Sequence, residues 1–231
     1  MKRAGLFALG FVMALGVTAC SDDDNGTNPN QDARVRVVHA SPDAPNVDVL
    51  VEGAVVLSDV PFKAGSTYLS VPAGMRNFQV RVAGTSTTVI NVTPTLMAGE
   101  DYTVIAKDTV GSIGVLLLND DNAAPAAGNV RVRLIHGAPS APTVDIYVTA
   151  PGTDLNNETP TLTGVPFEGV SNYLEVPAGN YQVRITPTGT KTVAIDTGTL
   201  ALGAGQVRTA IAVDNTGGGA PFGAVLLADL N

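Results

Sequence analysis

The chain has no tryptophan, one cysteine and only two histidines in 231 residues. A single cysteine rules out a disulfide within the chain, so neither a stapled mini-domain nor a dithiol redox pair is available. The missing tryptophan and cysteine pair removes the signature of antibody domains. A metal centre commonly needs three or four converging His, Cys and carboxylate ligands, and this composition offers few of the first two. Neither a nucleophile elbow of the GxSxG type nor a glycine-rich phosphate cradle between strand and helix occurs. Charged residues make up 15% and the net charge is -8. That leaves no basic stripe for phosphate, which excludes nucleic acid as an expected partner. Long helical periodicity is absent throughout.

What is present begins with an address. Lys2 and Arg3 precede an uncharged apolar run to about Val17, the layout of a secretory signal and too short for a membrane span. The signal is expected to cover residues 1–19. The "VTAC" that ends at Cys20 resembles the bacterial lipobox, so Cys20 is expected to be the first mature residue and to carry acyl chains. Each buried methylene of such an anchor contributes about 0.8 kcal/mol, and the membrane is the partner expected through it. Removing Lys2 and Arg3 leaves 11 basic against 21 acidic residues, a mature net charge of -10.

Residues 20–33 hold the lipidated cysteine and "SDDDNGTNPNQDA", a polar segment without a packing residue that reads as a solvated tether. Ser21-Asp22-Asp23-Asp24 resembles the export signal of surface lipoproteins of Bacteroidetes-type bacteria; equally, its acids keep a linker extended by self-repulsion. A calcium loop through Asp22, Asp24 and Gly26 fails, because Gly26 is out of frame and no bidentate glutamate follows.

An internal repeat sets the architecture. "VRVVHASPDAPNVDVLV" (Val35–Val51) is matched by "VRLIHGAPSAPTVDIYV" (Val132–Val148) at a spacing of 97 residues, pairing Arg36 with Arg133, His39 with His136 and Asp48 with Asp145. "VPF" at Val60 recurs at Val165 and "YLSVPAG" at Tyr68 as "YLEVPAG" at Tyr173, at a spacing of 105. The difference arises where a tight Glu52-Gly53 turn in the first copy faces an insertion from Thr149 to Gly164 in the second. Loop tips tolerate such insertions. "FQVRV" (Phe78–Val82) is taken as the match of "YQVRI" (Tyr181–Ile185), and "VLLLND" (Val115–Asp120) of "AVLLAD" (Ala224–Asp229). Domains are expected at 34–121 and 130–231, joined by a linker at 122–129.

Period-two alternation dominates each copy: Phe78, Val80 and Val82 face one side, Gln79 and Arg81 the other. About seven such runs per copy, separated by Pro/Gly turns, predict an all-β chain of two tandem immunoglobulin-like antiparallel β-sandwich domains. The opening motif with "VPF", "YLSVPAG" and "FQVRV" resembles a family of bacterial cell-envelope proteins built from a domain of unknown function, commonly lipoproteins with one or more copies. The resemblance implies a fold and supplies no activity or site residues.

Strand parity puts His39 on the side of Val35 and Val37, and His136 on that of Val132 and Leu134, so both imidazoles are expected to point inward. The "ASPDAP" segment that follows has prolines without donors and carbonyls in need of partners. A neutral imidazole can tie it to the sheet for about 1 kcal/mol net. His39, His136, Asp48 and Asp145 are therefore read as structural. Metal would need more ligands, since Asp43 becomes Ser140 in the second copy. Ser41 with His39 and Asp48 has the types of a nucleophilic triad, yet Ser41 becomes Ala138. Asp48 with Asp59 could be brought together by folding, though their spacing does not require it. Arg36, Arg81 and Asp48, with Arg133, Arg184 and Asp145, are predicted on outward faces as exposed ion pairs or as a polar binding surface.

The expected function is that of a non-enzymatic cell-envelope lipoprotein, surface-exposed at an outer membrane, serving as a structural or adhesive module for an extracellular glycan or protein. No cofactor is expected. The alternative is an envelope hydrolase or a carbohydrate-processing accessory domain.

Overall fold

The computed structural model describes residues 32–230. Cys20, the signal and most of the tether lie outside them. Among the described residues there is no α-helix, and none long and apolar enough to cross a membrane.

The first domain contains β1 (Asp32–His39), β2 (Val47–Val51), β3 (Ala54–Val60), β4 (Leu69–Pro72), β5 (Gly74–Met75), β6 (Phe78–Val82), β7 (Thr88–Val92), β8 (Thr95–Leu96), β9 (Asp101–Lys107) and β10 (Gly114–Asp120). One sheet has the order β10-β9-β1-β4, the other β3-β2-β6-β7, with β5 and β8 forming a small ribbon. The second domain contains β11 (Asn129–His136), β12 (Val144–Thr149), β13 (Leu162–Val165), β14 (Leu174–Pro177), β15 (Gly179–Pro187), β16 (Ile195–Leu202), β17 (Val207–Val213) and β18 (Gly223–Leu230), in sheets β14-β11-β17-β18 and β13-β12-β15-β16. The chain is thus an all-β pair of sandwiches. Pairing is antiparallel except for one central pair in each domain, β1 with β9 and β11 with β17, which run parallel.

Alternation places Ala33, Val35 and Val37 of β1 against Val49, Phe78 and Val104 in the first core. Val132, Leu134, Ile146, Val183 and Ile185 do the same in the second. The hairpin between β2 and β3 turns through Glu52 and Gly53 at φ 50° and 80°, the left-handed pair that a two-residue hairpin of matching twist requires.

A third apolar cluster belongs to neither sandwich alone. Val38, Ala40 and Ile105 of the first domain pack with Ile135, Ile211, Val213, Val225 and Leu227 of the second. These residues have the opposite strand parity from the core rows, so each domain's first sheet is apolar on both faces and buries its outer face against the other domain.

The sheet register also corrects one reading of the repeat. Phe78 lies opposite Val51, whereas Val183 lies opposite Val148. Phe78 and Val183 are therefore the counterparts, the spacing of 105 persists through this strand, and the similar strings "FQVRV" and "YQVRI" are two residues out of register. Arg81 corresponds to Thr186 rather than to Arg184.

Candidate functional site

The face shared by the domains holds the most concentrated polar chemistry in the structure. Arg36 and Arg133, each at the middle of its domain's first strand, are 1% and 3% exposed. The expectation that they lie outward in solvent is overturned. They do point away from their own cores, but the other domain's sheet covers that face.

Each guanidinium makes one bond at home and reaches across. Arg36 Nε donates to Thr103 Oγ1 at 2.8 Å, Nη1 donates to the Ala228 carbonyl at 3.2 Å, and Nη2 stands 2.6 Å from Asp229 Oδ1 as a close ionic contact. Arg133 repeats the pattern in reverse, with Nε to Thr209 Oγ1 at 3.2 Å, Nη1 to the Asn119 carbonyl at 3.3 Å and Nη2 to Asp120 Oδ1 at 2.6 Å. The Thr103 and Thr209 hydroxyls donate hydrogen bonds to Asp120 and Asp229, both at 2.5 Å. Tyr68 and Tyr173 complete the sets, donating to Asp120 at 2.6 Å and to Asp229 at 3.2 Å.

Both tyrosine rings lie under arginines: the guanidinium carbons of Arg34 and Arg36 are 5.3 and 4.9 Å from the Tyr68 centroid, those of Arg131 and Arg133 4.8 and 4.9 Å from that of Tyr173. Burial first of all pushes both phenols well above their ordinary range, so they remain neutral donors. Two cations and two anions cancel, and their polar atoms are turned on one another. Buried pairs persist only when remaining lone pairs and protons are satisfied; the threonines, tyrosines and carbonyls do this for most of these atoms, while Arg36 Nη2 and Asp229 Oδ1 have ionic contact alone.

The histidines occupy the same end of both sandwiches. His39 and His136 are 0% and 1% exposed. Nδ1 of His39 accepts the Ser41 amide at 3.3 Å, which makes Nε2 the protonated nitrogen, donating to the Pro45 carbonyl at 3.1 Å. His136 does the same with the Ala138 amide at 3.4 Å and the Pro142 carbonyl at 3.0 Å. Phe62 and Phe167 set their edges against the two rings at 6.1 and 6.2 Å. Burial lowers both imidazole pKa values. A ring with both nitrogens occupied by backbone is a strut for the proline loop.

Asp48 and Asp145 serve a second loop pair. Asp48 accepts the amides of Asp59 and Gly84 at 2.8 and 3.0 Å, and Asp145 those of Gly164 and Gly189, both at 2.9 Å. All four donors sit in left-handed backbone, with φ between 54° and 75°. The amides hold the Asp48 carboxyl below its usual range. Asp145 is 3% exposed, so its expected place on an open face is also corrected. Arg184, 8% exposed, donates to Thr149 Oγ1 at 2.9 Å, and Arg81 to Gln79 Oε1 at 2.7 Å. Neither forms the expected cross-strand ion pair with these aspartates.

Ser41, His39 and Asp48 do not form a relay, because His39 takes the serine's amide and Asp48 is engaged with the Asp59 and Gly84 amides. Asp59 meets Asp48 through its amide, while its carboxylate accepts from Asn46 at 2.8 Å. Among the described residues no three His, Cys, Asp or Glu side chains are grouped to hold a metal. The insertion from Thr149 to Gly164 is folded back rather than projecting: Leu155 is 5% exposed, and Lys191 Nζ ties the Glu158 carbonyl and the Tyr147 hydroxyl at 2.5 and 3.0 Å.

A polar depression of about 390 Å³ opens between the domains, lined by Asn119, Asp121, Arg131, Asn172 and Tyr173 among others. Its exposed acid, Asp121, lies 2.6 Å from Arg131 and is held ionised by it.

One family description covers both halves of the described chain. A family model described as "Domain of unknown function (DUF4397)" matches residues 3–49, 33–147 and 149–231. The chain belongs to the DUF4397 family. No curated protein matches it. Among solved structures, the Bacillus anthracis TIE protein is 11% identical at a TM-score of 0.27, with 80% of this chain and 34% of that one covered. A leucine-rich repeat protein from Bacteroides thetaiotaomicron is 16% identical at 0.21, covering 80% and 26%. A third, whose structure is titled for alpha-glucan binding by a streptococcal virulence factor, is 13% identical at 0.25, covering 74% and 88%. This DUF4397 chain spans about a third and a quarter of the first two. Likenesses of this size carry no functional weight.

Proposed function

We propose that this DUF4397 chain is a non-enzymatic lipoprotein of the cell envelope, anchored through acylated Cys20 and exposed at the outer surface. Its two joined sandwiches serve as a structural or adhesive module for an extracellular glycan or protein. The observation that carries this reading is the reciprocal weld: Arg36 to Asp229 and Arg133 to Asp120 at 2.6 Å, all four side chains at most 4% exposed. Four buried charged side chains are spent on holding two domains as one body, which suits a module that transmits position or load. The sequence of the leader, the lipobox-like end at Cys20 and the acidic segment after it support the address.

The hydrolase alternative needs a carboxylate free to exchange a proton in an open cleft, and Asp121, locked by Arg131, is poorly suited. The test is to incubate the lipid-free mature chain with cell-wall glycans, matrix proteins and peptides, following both retention and product release. Retention without turnover is expected. Turnover of any glycan or peptide overturns the proposal.

A further inference from the structure

The chain has four methionines, Met1, Met13, Met75 and Met97. The two beyond the leader stand together: Met75 ends β5, Thr95 is its partner in β8, and Met97 is two residues further on the same face of the ribbon. They are the most exposed large apolar side chains among the described residues, at 67% and 64%. The ribbon flanks the point where the chain enters the fold, since the Gly99 amide donates to the Asp32 carbonyl at 2.9 Å. In the second domain Gly179 pairs with Leu202 and Asn180 with Ala201. Asn180 and Gly203 therefore stand where the first copy has Met75 and Met97. Only the copy at the entry point carries the apolar pair.

A second feature adjoins it. An apolar cavity of about 310 Å³ opens between the edge strands β7 and β10, lined by Phe78, Val92, Pro94, Val104, Val115 and Leu117. Pro94 also accepts the Arg76 amide at 3.0 Å, one residue from Met75, so cavity and ribbon share a wall.

We propose that this pole of the first domain seats on the lipid surface, with Met75 and Met97 inserted at the headgroup boundary and the cavity open to an acyl chain. The proposal rests on the Cys20 anchor. Between Cys20 and Asp32 the extended chain reaches at most about 40 Å, which keeps this pole near the bilayer and gives a weak contact a high effective concentration. Unbranched, polarizable methionines suit an adaptable apolar contact. The exposed acids around the pole, Asp32, Glu52 and Glu100, favour zwitterionic over anionic lipid. The opposite end, with the histidine loops, then faces outward.

The test uses the full acylated chain in phosphatidylethanolamine and phosphatidylcholine vesicles containing spin-labelled lipid. With Cys20 consumed by its lipid, Thr95→Cys or Val110→Cys supplies one free thiol for a fluorophore. Val110, 42% exposed, follows β9 at the far end. Quenching several-fold stronger at 95 than at 110 is expected, falling to the level at 110 when Met75→Asn and Met97→Gly install the second domain's residues. Equal quenching at the two positions overturns the seating whether or not that variant folds. Quenching unchanged in the variant overturns the role of the methionines. A fluorescence shift that follows protein density without lipid quenching assigns the pole to a second copy and overturns it as well. Mass analysis of the Cys20 peptide separates the two proposals: an unmodified cysteine removes anchor and seating together, an acylated one with equal quenching removes the seating alone.

Discussion

Arg36 of the first sandwich meets Asp229 of the second at 2.6 Å, and Arg133 of the second meets Asp120 of the first at the same distance. The two contacts are related by the internal repeat, so a single pattern of Arg, Thr, Tyr and Asp is used twice, once from each side. Asp229 lies on β18, the last of the described strands, which is thereby part of the junction.

Removing one member of such a pair strands its partner in a dry interface. Asp229→Ala is expected to cost about 3–5 kcal/mol, while replacing both partners, Arg36→Met with Asp229→Leu, recovers most of it. Denaturant unfolding of the two single variants, the double variant and the wild type gives the coupling directly. Simple additivity would show that the charges do not act as a pair.

The histidine struts set a pH window. Burial lowers the pKa of His39, and burial, partly offset by the Pro142 carbonyl and the charge of Asp214, lowers that of His136. The unfolded chain, with imidazoles near 6.5, then takes up protons before the folded one does. Stability is full above about pH 6.5 and is lost as pH falls through the depressed folded-state values. Melting temperature is expected to fall between pH 7.5 and 5 in the wild type, and to fall less in His39→Ala/His136→Ala, which starts lower at pH 7.5. The same slope in both proteins would assign the loss to other groups.

The two turn-pinning aspartates are expected to differ in weight. Asp48 and Asp145 hold equivalent amides, but Asp145 is sealed at 3% exposure. In Asp145→Ala the part-buried bonds of the Gly164 and Gly189 amides lose a carboxylate that is itself sealed in the fold, at about 1–3 kcal/mol. In Asp48→Ala water replaces the carboxylate. Chemical denaturation should rank Asp145→Ala as clearly the less stable; equal losses would mean that water reaches both sites.

The sandwich class and the inward parity of the imidazoles could be read from alternation, the repeat from matched strings at spacings of 97 and 105, and the turn at Glu52-Gly53 from its residue types. What covers the outer face of the first sheet could not, since parity reports which side a residue takes and never what stands there. A signal was present all the same: Val38 and Ala40 on the Arg36 side, with "VLLL" in β10 and "VLL" in β18, are apolar on both parities, the mark of a strand buried on two faces. The register of β15 was hidden for another reason. The strings "FQVRV" and "YQVRI" look alike, whereas the pairing of Val183 with Val148 obeys the distance from the preceding turn.

A last prediction concerns how tightly the halves of the repeat have diverged. Gly137 corresponds to Ala40, yet a Cβ on Gly137 would come within 2.8 Å of Ile211 Cγ2 and 3.0 Å of the Ala212 carbonyl. The carbonyl belongs to β17 and is already bonded to the Gly137 amide at 2.9 Å, so it has no room to retreat without opening the parallel pair. At Gly65 the clash is with Leu227 Cδ2 at 2.7 Å, the end of a side chain rather than backbone. Overpacking a fixed site costs typically about 1–3 kcal/mol, so Gly137→Ala should lie in that range and Gly65→Ala below it. Thermal melts of the two variants decide the order. A smaller loss at Gly137 would mean that β11 and β17 separate more easily than their backbone bonds imply.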